Sequence, residues 1–172
     1  MAKPNKINLR AFQQELSERL KRKTAAQVDS LRLALECGDV SWLVRLGDAG
    51  EVLPMPDPVS VPLTKPWFLG VANIRGRLYG MIDFGAFLTG KLTARGVGAR
   101  LVLLGTRFSD IRAGLMVNKV LGLRNLTDFT ATETDGTRAW AAQTWRDKNG
   151  SEWRELDLTR LVQDAEFLQI EA

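Results

Sequence analysis

The sequence predicts a mainly β protein built of closed or nearly closed barrels, with one helix at its N-terminal end. Three observations lead there. Residues 8–23 keep a helical period, with Leu9, Phe12, Leu16 and Leu20 on one face. From residue 31 the period changes to two, and short apolar runs then recur at regular spacing almost to the end of the chain. Some ten such runs would crowd one small barrel, so two linked barrels are expected.

The elements follow in order. Asn8 is placed to cap the helix, and Lys21-Arg22-Lys23 suits the negative end of its dipole. A helix packed on the domain, with its polar face in solvent, is expected, with a docking helix for a partner as the alternative. Leu31–Glu36 and Ser41–Leu46 alternate about the turn signal Gly38-Asp39 and read as a hairpin, with a short strand at Glu51-Val52-Leu53. Residues 54–66 hold five of the six prolines, which lock φ and donate no hydrogen bond, so this stretch must be an extended surface connection. Further strands are expected at Phe68–Ile74, Arg77–Asp83, Ala99–Leu104, Ile111–Val117, Lys119–Leu123, Thr137–Trp145 and Glu152–Leu156. Asn149-Gly150 marks a hairpin turn before the last of these. A short helix at Phe84–Thr89 should stop at Gly90, another should span Leu158–Asp164, and a final strand is expected at Phe167–Ile170.

Composition excludes several chemistries. The 172 residues are 45% hydrophobic and 26% charged, as in an ordinary globular protein, and contain no His and one Cys. No His-activated nucleophile, phospho-accepting His, His-ligated metal or intramolecular disulfide can form. Cys37 is expected to be a small, half-buried residue at a strand end. Asp83 and Asp157 both stand between a strand and a helix, where a carboxylate caps a helix rather than catalyses. Gly96-Val97-Gly98 precedes a strand, the wrong order for a phosphate loop. No catalytic set, cofactor site or metal site is expected.

The net charge of +4 is unevenly placed. Residues 1–30 carry seven bases and three acids, which leaves 17 of each in the remaining 142. A balanced body argues against a face built to neutralise phosphates. Trp140, Trp145 and Trp153 beside Arg138, Arg146 and Arg154 offer a faint pattern for stacking on single-stranded nucleic acid, the one competing binding class. No run of 18 apolar residues could span a membrane, and a cytoplasmic protein is the expectation.

One stretch stands apart. Pro66 to Asp83 reads as two strands joined tightly at Arg75-Gly76, with Gly76 free to take positive φ and Asn73 able to bond the local backbone. Arg75 ends an apolar strand and needs an anionic partner, for which Glu51 is the best candidate. Gly70-Val71-Ala72-Asn73-Ile74-Arg75-Gly76, followed by Met81-Ile82-Asp83-Phe84, resembles the signature of CheW-like domains, a G-x-x-N-L-R-G run leading into a P-V-x-D-L strand. Ala49-Gly50-Glu51-Val52 and Gly114–Val120 are similar to two other strands of that family. Gly80 stands where the family has proline, and Asn118 where it has aspartate. The resemblance runs from about Leu31 to Ile170. It divides the chain into an N-terminal helical extension, 1–30, and a CheW-like domain, 31–172.

The resemblance implies two intertwined five-stranded SH3-like barrels and a non-enzymatic adaptor. Its partners would be the regulatory domain of a CheA-type histidine kinase and the cytoplasmic tip of a methyl-accepting chemoreceptor. The Trp-rich ending and the N-terminal helix are similar to adaptors of the type IV pilus chemosensory pathway, which controls twitching motility; a flagellar or other chemosensory pathway is the alternative output. No nucleic acid and no direct membrane insertion are implied. The protein would be cytoplasmic, recruited to membrane-associated receptor arrays. Glu51 and Arg75 are expected as a partly buried pair that holds their strands in register beside a receptor groove between the barrels. Val52 and Leu53 are the candidate kinase-facing apolar residues.

Overall fold

A computed structural model describes residues 9–134 and 136–172. Helix α1 (Leu9–Ser30) runs without a loop into β1 (Leu31–Cys37) and β2 (Val40–Arg45). Strands β3 (Ala49–Pro54), β4 (Phe68–Ile74) and β5 (Arg77–Asp83) lead to α2 (Phe84–Thr89), and β6 (Arg100–Leu104) and β7 (Ala113–Val117) follow. The chain continues through β8 (Lys119–Asn125), β9 (Thr130–Thr132), β10 (Ala141–Arg146) and β11 (Glu152–Leu156) to α3 (Leu158–Leu161) and α4 (Ala165–Leu168). Two sheets form, in the orders β8-β1-β2-β11-β10-β9 and β3-β6-β7-β5-β4. The chain lays down two strands of the first sheet, builds the whole of the second, and returns to finish the first. The two barrels are therefore interlocked.

Strand periodicity explains where the cores sit. Alternate residues point to opposite faces, and in β1, β2, β6 and β7 both faces are buried. Leu33, Leu35 and Cys37 of β1, Trp42 and Val44 of β2, Val102 and Leu104 of β6, and Leu115 and Val117 of β7 enter one large core between the sheets. Their neighbours fill the barrel interiors, Ala34, Leu43 and Trp153 in one and Ala72, Met81, Leu101 and Leu103 in the other. Runs such as Arg100–Leu104 are apolar almost throughout for this reason.

Helix α2 sits at the centre of the shared core. Asp83 Oδ1 accepts from the Ala86 amide at 2.9 Å and the Thr93 hydroxyl at 2.6 Å, while Oδ2 accepts from the Thr93 amide at 2.8 Å. Gly90, with φ 74°, closes the helix by donating to the Ala86 carbonyl. Asp157 and Asp164 cap α3 and α4 in the same way, and Asn125 caps a single 3-10 turn.

Several boundaries differ from expectation. Helix α1 extends to Ser30, because no Gly or Pro stops it before β1. Its residues 13–29 are all exposed instead of packed on the domain, since a helix running directly into a strand cannot fold back over that sheet. Asn8 lies outside the described residues. The helix expected over 158–164 ends at Leu161, and the Asp164 carboxylate accepts from the Glu166 and Phe167 amides and starts α4 where a strand was expected. An isolated bridge between Thr64 and Glu171 follows just past the expected strand's end. The three-residue β9 makes one sheet six-stranded, and β10 begins at Ala141 instead of Thr137. Cys37 ends β1 but is fully buried.

A candidate docking surface at the seam of the five-stranded barrel

The β4–β5 hairpin closes with Ile74 opposite Arg77, so its loop is Arg75-Gly76 alone. Both residues take positive φ, 52° and 80°, as a type I′ turn demands. The Gly76 amide donates to Asn73 Oδ1 at 2.8 Å and ties the turn down. A non-glycine residue in the left-handed region costs about 1–2 kcal/mol, a cost that side chains held for function often carry.

Glu51 reaches the same place from β3. The β3–β6 register shifts between Ala49 and Val52, so Gly50 and Glu51 form a bulge. A Cβ on Gly50 would stand 2.9 Å from the Leu104 carbonyl oxygen, so glycine permits the close crossing. Arg75 Nη2 meets Glu51 Oε1 at 2.6 Å.

Strands β3 and β4 are the two edges of the five-stranded sheet. The ion pair therefore bridges the seam where this barrel curls onto itself; it does not hold neighbouring strands in register. The side chains are 76% and 38% exposed, so the pair is a surface pair worth at most about 1 kcal/mol to stability. Leu53 turns inward and packs with Leu69 and Ile74 against Met81 and Leu101, whereas Val52 faces solvent. Leu78, opposite Asn73 on the hairpin, is also exposed.

A second exposed apolar strip was not singled out in the sequence. Val59, Val61 and Leu63 alternate through the Pro-rich connection and are all exposed. Val59 bridges Val71, covering the free edge of β4. The approach is so close that a Cβ on Gly70 would lie 2.1 Å from the Val59 carbonyl oxygen. Leu63 adopts φ 59° and its carbonyl accepts from the Ala172 amide, so the C-terminal end pins the strip. The alternation Val-x-Val-x-Leu among prolines was the available signal.

A groove of about 670 Å³ lies between the sheets, bordered by the Gly38-Asp39 turn, Leu88, Leu92, Asn118 and Trp140. Asn118 Oδ1 accepts from the Gly38 amide at 2.7 Å and fixes its rim. Glu51 and Arg75 are not among the residues that line it, so the pair and this groove are separate features. Trp140 and Trp153 are buried, and half-buried Trp145 donates to Glu155, so these rings supply no stacking platform for bases.

Cys37 is no nucleophile. Burial, and then the charge of Asp83, push its thiol from 9.0 up to about 12. The folded pKa is the higher one, so the stabilisation is complete below pH 9 and is lost as pH rises towards 12. Unfolding free energy should fall over that window by on the order of 1 kcal/mol per pH unit, and the fall should be shallower in Cys37→Ala. An aromatic disulfide reagent should label the thiol only on unfolding; immediate labelling of the native protein would contradict this burial.

Among the described residues no three carboxylates or thiols converge as a metal site, and no helix is long and apolar enough to cross a membrane. Comparison with known proteins gives three findings. A family model for the CheW-like domain matches residues 33–166. Protein PilI of Pseudomonas aeruginosa is 32% identical over 101 residues, 59% of this chain and 56% of that protein, so the match spans little more than half the relative. The crystal structure of scaffolding protein TtCheW from Thermoanaerobacter tengcongensis superposes with a TM-score of 0.66 at 15% identity, over 83% of this chain and 97% of that one, a likeness of fold. The matched span starts in β1, crosses both interlocked barrels and ends in α4: the chain belongs to the CheW-like domain family.

Proposed function

We propose that this protein is a non-enzymatic chemosensory adaptor that couples the cytoplasmic tip of a methyl-accepting chemoreceptor to the regulatory domain of a CheA-type histidine kinase. Its output would be type IV pilus control and hence twitching motility. The observation that carries the reading is the CheW-like match across both barrels. The likeness to PilI supports the pilus branch. In this reading residues 31–172 form the coupling domain and residues 1–30 an extension to it.

The geometry suits a coupler. An adaptor needs apolar patches with polar rims, not a reactive pocket. Val52 and Leu78 stand exposed on the same barrel as the Glu51–Arg75 pair, and Val59, Val61 and Leu63 form a second strip. Because the pair contributes little to folding, its strained hairpin and bulge are assigned to receptor contact. Val52 is assigned to the kinase face, with Leu53 supporting it from inside. Asp83 keeps α2, and with it the junction of the sheets, in place.

Reconstitution tests this. The purified protein, a CheA-type kinase and a receptor signalling fragment should form a ternary complex in which the receptor alters kinase autophosphorylation. Arg75→Glu should reduce receptor affinity about tenfold or more, as expected for a like-charge contact, while shifting the melting temperature by less than about 4 °C. Unchanged receptor affinity in that variant would refute the assignment of the pair. Failure of the wild-type protein to bind any CheA-type kinase would sink the adaptor reading. A deletion strain that twitches normally and swims poorly would move the output to flagella.

A further inference from the structure

A small cavity of about 130 Å³ opens on the five-stranded barrel, between the start of β5 and the chain that joins β6 to β7. Arg77 and Tyr79 stand two residues apart on β5, so both side chains point to the same face. Strand β7 runs parallel to β5, and the Gly80 amide donates to the Arg112 carbonyl at 2.8 Å, which sets Arg112 beside Tyr79. From the other side, the single 3-10 turn Thr106–Phe108 brings Thr106 to the cavity. The Gly105 amide anchors that turn by donating to the Asp48 carbonyl at 2.8 Å. The Ile111 amide donates to the Phe108 carbonyl at 2.9 Å and closes a further turn that brings Ser109 to the rim.

Donors gather at this cavity and no counter-charge does. Arg77 and Arg112 have no carboxylate within ion-pair reach among the described residues, and the hydroxyls of Tyr79, Thr106 and Ser109 have no hydrogen-bond partner among them either. The neighbouring arginines are neutralised, Arg75 by Glu51 at 2.6 Å and Arg107 by Asp48. Asp110, in the same turn as Ser109, neither lines the cavity nor pairs with either free arginine. The neutral domain also conceals a division of charge. Residues 49–117, which form the five-stranded sheet, carry eight bases and four acids, a field that draws anions towards this barrel. We infer that the cavity binds a phosphoryl dianion, as free phosphate or as a phosphate monoester.

Size and charge select this ligand over others. The volume is well below the roughly 300–1,000 Å³ of a site for a drug-sized molecule and holds a group of only a few heavy atoms. A carboxylate offers two oxygens, which one arginine fork already occupies. A phosphoryl group offers at least one more and a second negative charge, enough to engage both forks and the hydroxyls. A metal cation would meet two positive charges and no carboxylate.

The test uses the full chain and, at matched ionic strength, inorganic phosphate, glycerol phosphate, a short peptide carrying phosphoserine, and acetate. In amide NMR spectra of the unaltered protein, phosphate should shift Tyr79, Ser109 and Arg112 saturably, and acetate should leave them in place. Arg77→Ala and Arg112→Ala should each lower phosphate affinity about tenfold or more. Arg77→Lys keeps the charge without the fork and should lower it severalfold. Arg95→Ala and Lys21→Ala, away from the cavity, should leave it unchanged. All these side chains are exposed, and an unchanged thermal melt would confirm that the fold is intact. Tighter binding of the peptide than of inorganic phosphate would identify a phosphorylated protein segment as the source of the group; equal or tighter binding of glycerol phosphate would identify a small molecule, and either result supports the inference. An equal response to acetate, shifts confined to α1 or spread over the whole surface, a titration that does not saturate, or binding that survives loss of both arginines would overturn it. Neither kinase nor chemoreceptor is present, so the outcome is independent of the adaptor reading.

Discussion

Glu155→Ala is expected to cost the fold about 3–5 kcal/mol, the range for removing one partner of a buried ion pair. Arg32 Nε donates to Glu155 Oε1 at 2.9 Å, and Trp145 Nε1 donates to Oε2 at 2.9 Å. Arg32 is 5% exposed and Glu155 16%. Removing the carboxylate leaves a guanidinium with no counter-charge in a site that water barely enters, and strips the indole of its acceptor. Glu155→Gln keeps an acceptor for only one of the two donors, since its amide NH2 would face the other, and should still lose less than Glu155→Ala, with the charge term gone and one hydrogen bond kept. A paired change of Arg32 and Glu155 to Met should recover most of the loss, because the penalty lies in the orphaned charge and not in the missing attraction. Urea unfolding of the four proteins measures this. A loss below about 1 kcal/mol for Glu155→Ala would mean that water reaches the pair, as it does at Arg75–Glu51.

The two ion pairs mark what a linear reading can and cannot find. Arg75 stands out in the sequence because its motif is local: Asn73, Arg75 and Gly76 are consecutive parts of one turn, and turn chemistry follows from residue type. Its partner Glu51 lies only 24 residues away. Arg32 and Glu155 are separated by 123 residues and meet because the chain leaves the six-stranded sheet and comes back to it. No period or motif carries that information. The same division holds for the elements. Phe68–Ile74, Arg77–Asp83, Glu152–Leu156 and the helix at Phe84–Thr89 coincide with their expected bounds, because turn residues, Asp83 and Gly90 punctuate them. Phe167–Ile170 fails because three apolar residues in a run of four do not distinguish strand from helix; the deciding signal was Asp164 as an N-cap. The exposure of α1 is left undecided by the sequence, which admits both a packed helix and a docking helix. Its stripe of Leu and Val predicts that something covers it, and only the missing loop before Leu31 shows that this domain does not.

Trp42→Ala is the second large effect, about 3–5 kcal/mol, or a fall in melting temperature of about 6–20 °C for a chain of this size. Trp42 projects from β2 into the shared core, 5.4 Å edge-on from Phe84 and 6.1 Å from Trp140. The indole nitrogens of Trp42 and Trp140 are buried without a hydrogen-bond partner among the described residues, and each such orphan costs about 1–3 kcal/mol. Trp42→Phe should therefore destabilise far less than its loss of volume suggests, since it removes an unmet donor along with part of the ring. Equal costs for the two variants would show that the donor is satisfied after all. The site also carries a functional consequence. Trp42 belongs to the six-stranded sheet, whereas Phe84 follows directly on β5 of the other, so their contact clamps one barrel to the other. An adaptor must hold its two docking faces at a fixed spacing. Under the adaptor function proposed above, Trp42→Ala should thus lose receptor control of the kinase at temperatures where circular dichroism still reports a folded chain and each partner alone still binds. Loss of coupling only in step with unfolding would assign Trp42 to stability alone.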